Sequence, residues 1–214
     1  VIFQFAASVI LARNLISSDY GITGFALIFT GFLGKFGDMG IDTAVLQKAD
    51  LNEKGLYTAF TIKAVLGMMT FTAAFILAPL AGMLFDNEAV VNVVRFLSLS
   101  FAINSLAFLP NVLLTRELEY RKLFSPQVGS AVVNYTLSII LAWSGFGYWS
   151  IVLANVCSTV VGVIVINVVK PVKIRFNYDK EQAPQFISVG GPLFFSGFIV
   201  FLILNVDSFA IGAM

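Results

Sequence analysis

The apolar residues of this chain fall into seven long blocks, at 1–16, 20–46, 56–85, 90–115, 123–144, 151–169 and 186–206, separated by short polar connections. Stretches such as 68–83 have no polar face at all, and a helix that is apolar all round must be buried on every side or face lipid. About 20 predominantly apolar residues cross a hydrocarbon core of about 30 Å, and six of the seven blocks reach or closely approach that length. The first block is shorter: at about 1.5 Å per residue it covers only about 24 Å. The pattern predicts an all-α, polytopic membrane protein. The short first block, the start at Val1 without an initiator methionine, and the apolar run resuming at the end suggest a piece of a longer chain.

Composition removes the main competitor. Hydrophobic residues make up 58% of the 214 positions and charged residues 12%, about half the charge of an average soluble domain, and the mean hydropathy is +0.92. A soluble bundle would need polar faces on most of its helices. A cleavable signal peptide does not explain the first block, which has no basic flank before it and no small-residue cleavage site after it.

Charge placement then orients the helices. Nine of the 13 Lys and Arg lie in three connections: Lys48 and Lys54; Arg116, Arg121 and Lys122; and Lys170, Lys173, Arg175 and Lys180. The connections between them, 17–19, 86–89 and 145–149, carry none. Basic residues are retained on the cytoplasmic side, so the alternation predicts a cytoplasmic start and a first helix running outward. Tyr20, Tyr57, Phe85, Tyr120, Tyr148 and Trp149 sit near the expected helix ends, where amphipathic rings prefer the headgroup level.

Several chemistries drop out. There is no His, and Cys157 is alone and mid-span, so the chain offers no histidine-dependent triad, His-ligated metal, disulfide or thiolate metal site. No P-loop or zinc spacing occurs, and no connection is long enough for an ATPase domain. Nucleic-acid binding has no support in a net charge of +1 with the basic residues dispersed at helix ends.

Four cations remain within the blocks: Arg13, Lys35, Lys63 and Arg95. Counted inward from Tyr20 at about 1.5 Å per residue, Lys35 lies about 22 Å deep and Asp42 about 33 Å, near the cytoplasmic surface. On a continuous helix Lys35, Asp38 and Asp42 fall at i, i+3 and i+7, within about 60° of one another. Gly31, Gly34, Gly37 and Gly40 flank this polar stripe, and small residues permit close approach of a helix or a bulky ligand. The expectation is a polar cavity for Lys35 and Asp38, with Asp42 a gate or interface residue. Lys63 and Arg95 fit either a cavity or an interfacial position, and Arg13 fits a structural contact with Asp19, itself expected as an N-cap. Pro79, Pro110, Pro126 and Pro192 each remove a backbone donor inside a block. Asn111, Gln127 and Asn134 are polar groups that either line a cavity or join helices by hydrogen bonds.

Particular runs add a resemblance. The segments ARNLISSDYG (12–21), GFLGKFGDMGIDTAVLQK (31–48), LAPLAGMLFDNEAVVNVVRFLSLSFAINSL (77–106), LTRELEYRKL (114–123), GFGYWSIVLANV (145–156) and NVDSFAIGAM (205–214) resemble bacterial polysaccharide and lipopolysaccharide flippases. These belong to the multidrug/oligosaccharidyl-lipid/polysaccharide exporter superfamily, and the likeness is to its O-antigen or colanic-acid branch. It covers essentially the whole chain and implies two six-helix lobes. Residues 1–172 would be the N-terminal transmembrane lobe, 173–185 a cytoplasmic inter-lobe linker, and 186–214 the start of the C-terminal lobe.

The resemblance also implies a function. An undecaprenyl-diphosphate-linked oligosaccharide would enter from the cytoplasmic side of the bacterial inner membrane and leave outward by alternating access, without enzymatic chemistry or a cofactor. The coupling ion, Na+ or H+, stays open. Lys35, joined by Lys63, would receive the diphosphate, Arg13 and Arg95 would hold it near the outer exit, and Asp38 would be a counter-charge that limits trapping. Partners would be the lipid-linked oligosaccharide, the bilayer, and a glycan polymerase with its chain-length machinery. Two other functions compete. A cation-coupled drug antiporter of the same superfamily would use Asp38 as its ion site, and a multi-pass glycan polymerase or ligase would need a large periplasmic loop that these short outer connections do not supply.

Overall fold

The computed structural model describes residues 2–48 and 50–212, and every regular element among them is an α-helix. In chain order these are α1 (Ile2–Asn14), α2 (Ser17–Asp38), α3 (Ile41–Gln47), α4 (Glu53–Leu84), α5 (Glu88–Ser105), α6 (Phe108–Arg116), α7 (Tyr120–Trp143), α8 (Trp149–Val169) and α9 (Ala183–Gly212). Val1 and positions 213–214, at the limits of the first and last expected segments, lie outside the described residues.

Two of the apolar blocks contain two helices each, which corrects the expectation of unbroken spans. The block at 20–46 breaks after Asp38, where Met39 (φ 39°) and Gly40 (φ 62°) both enter the left-handed region and α3 starts afresh at Ile41. The block at 90–115 bends by 49° between α5 and α6. Pro110 explains part of that bend, because it has no N–H to offer the carbonyl four residues earlier. That carbonyl, Leu106 O, instead accepts from Asn167 Nδ2 on α8 at 3.4 Å.

Among the described residues α4, α8 and the 183–200 part of α9 are long and apolar enough to cross a bilayer, with α5–α6 a fourth if the bent pair is one span. The 22-residue α2 and the 24-residue α7 are long enough but carry more polar and glycine positions, among them Asp19, Lys35 and Asp38 on α2 and the opening YRKLFSPQ of α7. Met68, Met69, Ile76 and Met83 of α4 are exposed on the outside of the bundle, an arrangement that costs free energy in water and none in lipid. The chain is an all-α, polytopic membrane protein.

The interior divides at the level of the two breaks. On one side α2, α4, α5 and α8 bury Phe29, Leu33, Ala74, Ala78, Val90, Val94 and Val156 among one another. On the other, α3, α4, α6 and α9 bury Ile41, Val45, Phe60, Leu109, Val112 and Phe186. Gly67 lets α4 and α5 approach closely: a Cβ there would lie 3.0 Å from the carbonyl oxygen of Phe101. α9 rests on α2 through Phe194 and Phe36, with ring centroids 5.3 Å apart.

The end of the bundle that carries the basic connections is tied by polar contacts. Arg116 Nη1 donates to Val45 O at 2.8 Å and to Lys48 O at 2.7 Å, satisfying carbonyls at the end of α3 that have no intrahelical partner. Lys170 pairs with Glu117 at 2.7 Å. The non-helical segment 171–179 is strapped to the first turns of α4, since Asn177 N–H donates to Thr61 Oγ1 at 3.0 Å and Asp179 N–H to Thr58 Oγ1 at 3.1 Å.

Candidate functional site

A cavity of about 260 Å³ lies between α2, α4 and α5. Its walls are the glycine face of α2, with Gly31, Gly34, Lys35, Gly37 and Asp38; Lys63 and Gly67 of α4; and Phe101, Asn104 and Ser105 of α5. Its glycines bring the helices close, since a Cβ would lie 3.0 Å from the Phe101 ring at Gly34, 2.9 Å from Thr70 Oγ1 at Gly37 and 3.0 Å from Phe101 O at Gly67, and Lys35, Lys63 and Asp38 line the space beside these contacts.

Lys63 is the centre of this arrangement. Its Nζ lies 2.8 Å from Asp38 Oδ1 and 2.9 Å from Asp42 Oδ1. Its side chain is 12% exposed, whereas those of Asp38 and Asp42 are 67% and 55% exposed. A buried ammonium is therefore neutralised by two carboxylates that keep much of their hydration. Such a geometry avoids most of the desolvation cost of a fully buried pair, and it leaves the carboxylates free to move without being stranded in hydrocarbon.

The expected stripe of Lys35, Asp38 and Asp42 on one continuous helix does not form. Asp38 is the last residue of α2 and Asp42 lies in the first turn of α3, with the left-handed pair Met39–Gly40 between them. The two carboxylates converge because Lys63 draws them together from across the break. Nor is Asp42 a detached surface group, since it shares that lysine. Lys63, which the sequence left between interface and cavity, lines the cavity, and Lys35 lines it too.

Gly40 makes the break possible. At φ 62° an L side chain is strained, and a Cβ would also lie 2.7 Å from the carbonyl oxygen of Gly190 on α9. Gly190 packs just as tightly in return, against the carbonyl oxygen of Met39. The helix break and the start of α9 are thus pressed backbone to backbone.

Arg13 and Arg95 do not reach this cavity. Arg95 of α5 lies with its guanidinium 5.1 Å from the centroid of Phe75, and its Nε is buried without a hydrogen-bond partner. Arg13, in the last turn of α1, is exposed and forms no ion pair with Asp19 among the described residues. Asp19 is not the N-cap of α2 either. Ile16 holds that position, and Asp19, three residues on, reaches back to accept from the Ile16 N–H at 3.3 Å.

Sequence reasoning missed Phe101, Asn104 and Ser105 as wall residues. Asn104 carried the one available signal, an amide in an otherwise apolar run. Of the other amides, Asn134 joins α7 to α8 by donating to Ser158 Oγ at 3.2 Å. Among the described residues no group of three or more acidic or Cys side chains is placed to hold a metal ion.

Comparison with known proteins gives this geometry a family. Residues 10–214 match the model of a family described as polysaccharide biosynthesis protein. The chain is 23% identical over 133 residues to the lipopolysaccharide biosynthesis protein WzxC of Escherichia coli (strain K12), covering 62% of this chain and 27% of that protein. It is 25% identical over 180 residues to the succinoglycan biosynthesis transport protein ExoT of Rhizobium meliloti (strain 1021), covering 84% of this chain and 36% of that one. To the teichuronic acid biosynthesis protein TuaB of Bacillus subtilis (strain 168) it is 24% identical over 132 residues, covering 53% of this chain and 27% of the relative. The chain thus spans about a third or less of the length of these curated relatives. No solved structure shows a significant match to the chain. With a family model that covers nearly the whole length of this all-α membrane bundle, the chain belongs to the polysaccharide biosynthesis protein family.

Proposed function

We propose that this chain is part of a flippase that moves undecaprenyl-diphosphate-linked oligosaccharide across the bacterial inner membrane by alternating access, with the start of the chain cytoplasmic. The observation that carries the reading is Lys63, bound by Asp38 and Asp42 on the two sides of a helix break and open to a cavity that Lys35 also lines. A diphosphate competes well for such a lysine, because charge-assisted hydrogen bonds to phosphate are among the strongest polar contacts and the Lys63 side chain is itself only 12% exposed. The isoprenoid tail stays in the bilayer while the headgroup enters.

In this reading Lys35 and Lys63 receive the diphosphate. Its arrival displaces Asp38 and Asp42 from Lys63, and the two halves of the broken helix are released from each other. Asp38 is then the counter-charge that reclaims Lys63 when the headgroup leaves, which limits trapping, and Asp42 acts as the gate on the α3 side. Arg13 and Arg95 lie away from the cavity and would meet the headgroup later, at the outer exit. No bond is made or broken in the lipid, so the protein is a transporter and not an enzyme. The printed names of the relatives, one of them a transport protein for succinoglycan biosynthesis, support this class. The test is export of lipid-linked glycan by the full-length protein carrying Lys63→Ala or Lys35→Ala at normal membrane abundance. Both variants are expected to lose most export, and unchanged export would remove these lysines from the mechanism.

A further inference from the structure

Helix α9 lies across the break between α2 and α3 and touches both sides of it, by different kinds of contact. On the α3 side its start is pinned. Lys48 Nζ, just past the end of α3, donates to Gln182 Oε1 at 3.1 Å and to Gln185 Oε1 at 2.9 Å, and lies 5.0 Å from the centroid of the Phe186 ring. Phe186 is itself buried in the cluster that holds Ile41 and Val45 of α3. On the α2 side the contacts are between rings: Phe194 with Phe36, and Phe198 with Phe32 and Phe36, at centroid distances of 5.3–5.6 Å. Aromatic pairs keep their attraction over a range of offsets and angles, so these contacts can slide where the pinned ones cannot.

The two ends of α3 are tied to different helices. Near its C-terminal end Arg116 of α6 donates to Val45 O and Lys48 O, and at its N-terminal end Asp42 pairs with Lys63 of α4 at 2.9 Å. Loss of the second tie leaves α3 anchored near Lys48, with Gly40 at the end that moves. There Gly40 meets α9 backbone to backbone: a Cβ on it would lie 2.7 Å from Gly190 O. No side chain stands between the two backbones to absorb a displacement, so movement of Gly40 passes to Gly190. Helix α9 is weak at that point. Pro192 has no N–H for the Ser188 carbonyl, and proline is among the usual causes of kinks beyond about 20°. We propose that α3 is a lever: when Lys63 lets go of Asp42, the Gly40 end of α3 swings and bends α9 at 190–192, while the start of α9 stays pinned by Lys48. The proposal rests on the flippase reading, in which an arriving diphosphate takes Lys63 from Asp42, and it adds how that event reaches the helix that opens the second lobe.

The experiment reads distances by double electron–electron resonance in the full-length protein, with its native cysteines replaced by serine and spin labels on exposed positions of α4 and α9. The pair Met68→Cys/Ile199→Cys reports α9 beyond the bend, and Met68→Cys/Ile187→Cys reports its pinned start. Pro192 and Ile199 are about 10 Å apart along the helix, so a change of about 20° in the bend carries the Ile199 label by about 3 Å. Without lipid, Asp42→Asn is expected to shift the first distance by about that amount and to leave the second unchanged. Asp38→Asn should move neither, because Asp38 belongs to α2. Lys63→Met frees both carboxylates and should reproduce the Asp42→Asn shift, and it decides the matter if Asp42→Asn does not fold. Equal shifts at Ile199 and Ile187, an equal response to Asp38→Asn, or unshifted distances in the folded release variant would overturn the lever. Undecaprenyl diphosphate added to the protein with Lys63 and both aspartates intact is expected to give the same shift at Ile199. If the lipid gives none while Asp42→Asn does, the lever stands and the role of Lys63 in receiving the diphosphate falls.

Discussion

Lys63 bridges Asp38 and Asp42 at 2.8 and 2.9 Å, so one ammonium from α4 holds together the two ends of a helix broken at Met39–Gly40. Exposed ion pairs contribute about 0–1 kcal/mol, and removing one partner of a fully buried pair costs about 3–5 kcal/mol. Here the cation is buried and the anions are over half exposed, which places each pair near the lower value. A double-mutant cycle with Lys63→Met and Asp38→Asn is expected to give a coupling of about 1 kcal/mol in thermal or denaturant unfolding of the full-length protein. A coupling near zero would mean that the contact does not hold the break.

The break itself makes a second prediction. Gly40→Ala places a Cβ at φ 62° and against the Gly190 carbonyl, and is expected to destabilise the protein by about 2 kcal/mol or more. Met39→Gly, at φ 39°, relieves a left-handed non-glycine residue and is expected to be neutral or stabilising by up to about 1 kcal/mol. Melting temperatures that move in opposite directions for the two variants would support the break. A mild effect of Gly40→Ala would indicate a continuous helix through this segment.

The bend at Pro110 can be tested through its partner on α8. Asn167→Leu leaves the Leu106 carbonyl without its side-chain donor and is expected to cost about 1–2 kcal/mol. Pro110→Ala restores a backbone N–H four residues along, so the double variant should recover part of that loss. Additive losses in unfolding experiments would show that Asn167 does not act through Leu106.

These elements also show what the sequence carries and what it does not. The apolar blocks mark the helices well, because burial in lipid needs long apolar runs whatever the neighbours are. The glycine-flanked Lys35 and Asp38 were legible for the same reason: charge in such a run has to face something polar. The break after Asp38 was not, because Gly40 continues a repeat of glycines every third residue at 31, 34 and 37 and nothing marks it as the one with positive φ. The pairing of Lys63 with both aspartates and the backbone contact of Gly40 with Gly190 are tertiary relations between distant segments. No periodicity along one helix encodes them.

The strap over α4 is expected to respond to pH. The Asp179 carboxyl is held below the usual carboxylate range, chiefly by the Glu181 backbone N–H and further by Gln182, with Lys54 nearby. A depressed folded-state value means that its contribution is fully present above the unfolded value of about 3.9 and is lost as pH falls through the folded one. Proteolysis or hydrogen exchange of 171–182 should therefore increase in acid below about pH 4. In Asp179→Asn that acid step should be absent, and its persistence would assign the step to another group.

The central claim is that a lipid diphosphate and the two aspartates compete for Lys63. The direct measurement is the affinity of the full-length protein for undecaprenyl diphosphate in wild type, Lys63→Ala, and Asp38→Asn/Asp42→Asn. Loss of one charge-assisted contact to phosphate is expected to weaken binding by about tenfold or more in Lys63→Ala. Removal of the competing carboxylates should tighten it by about tenfold in the aspartate variant. Folded variants that bind the lipid as wild type does, or an aspartate variant that binds it more weakly, would contradict the account.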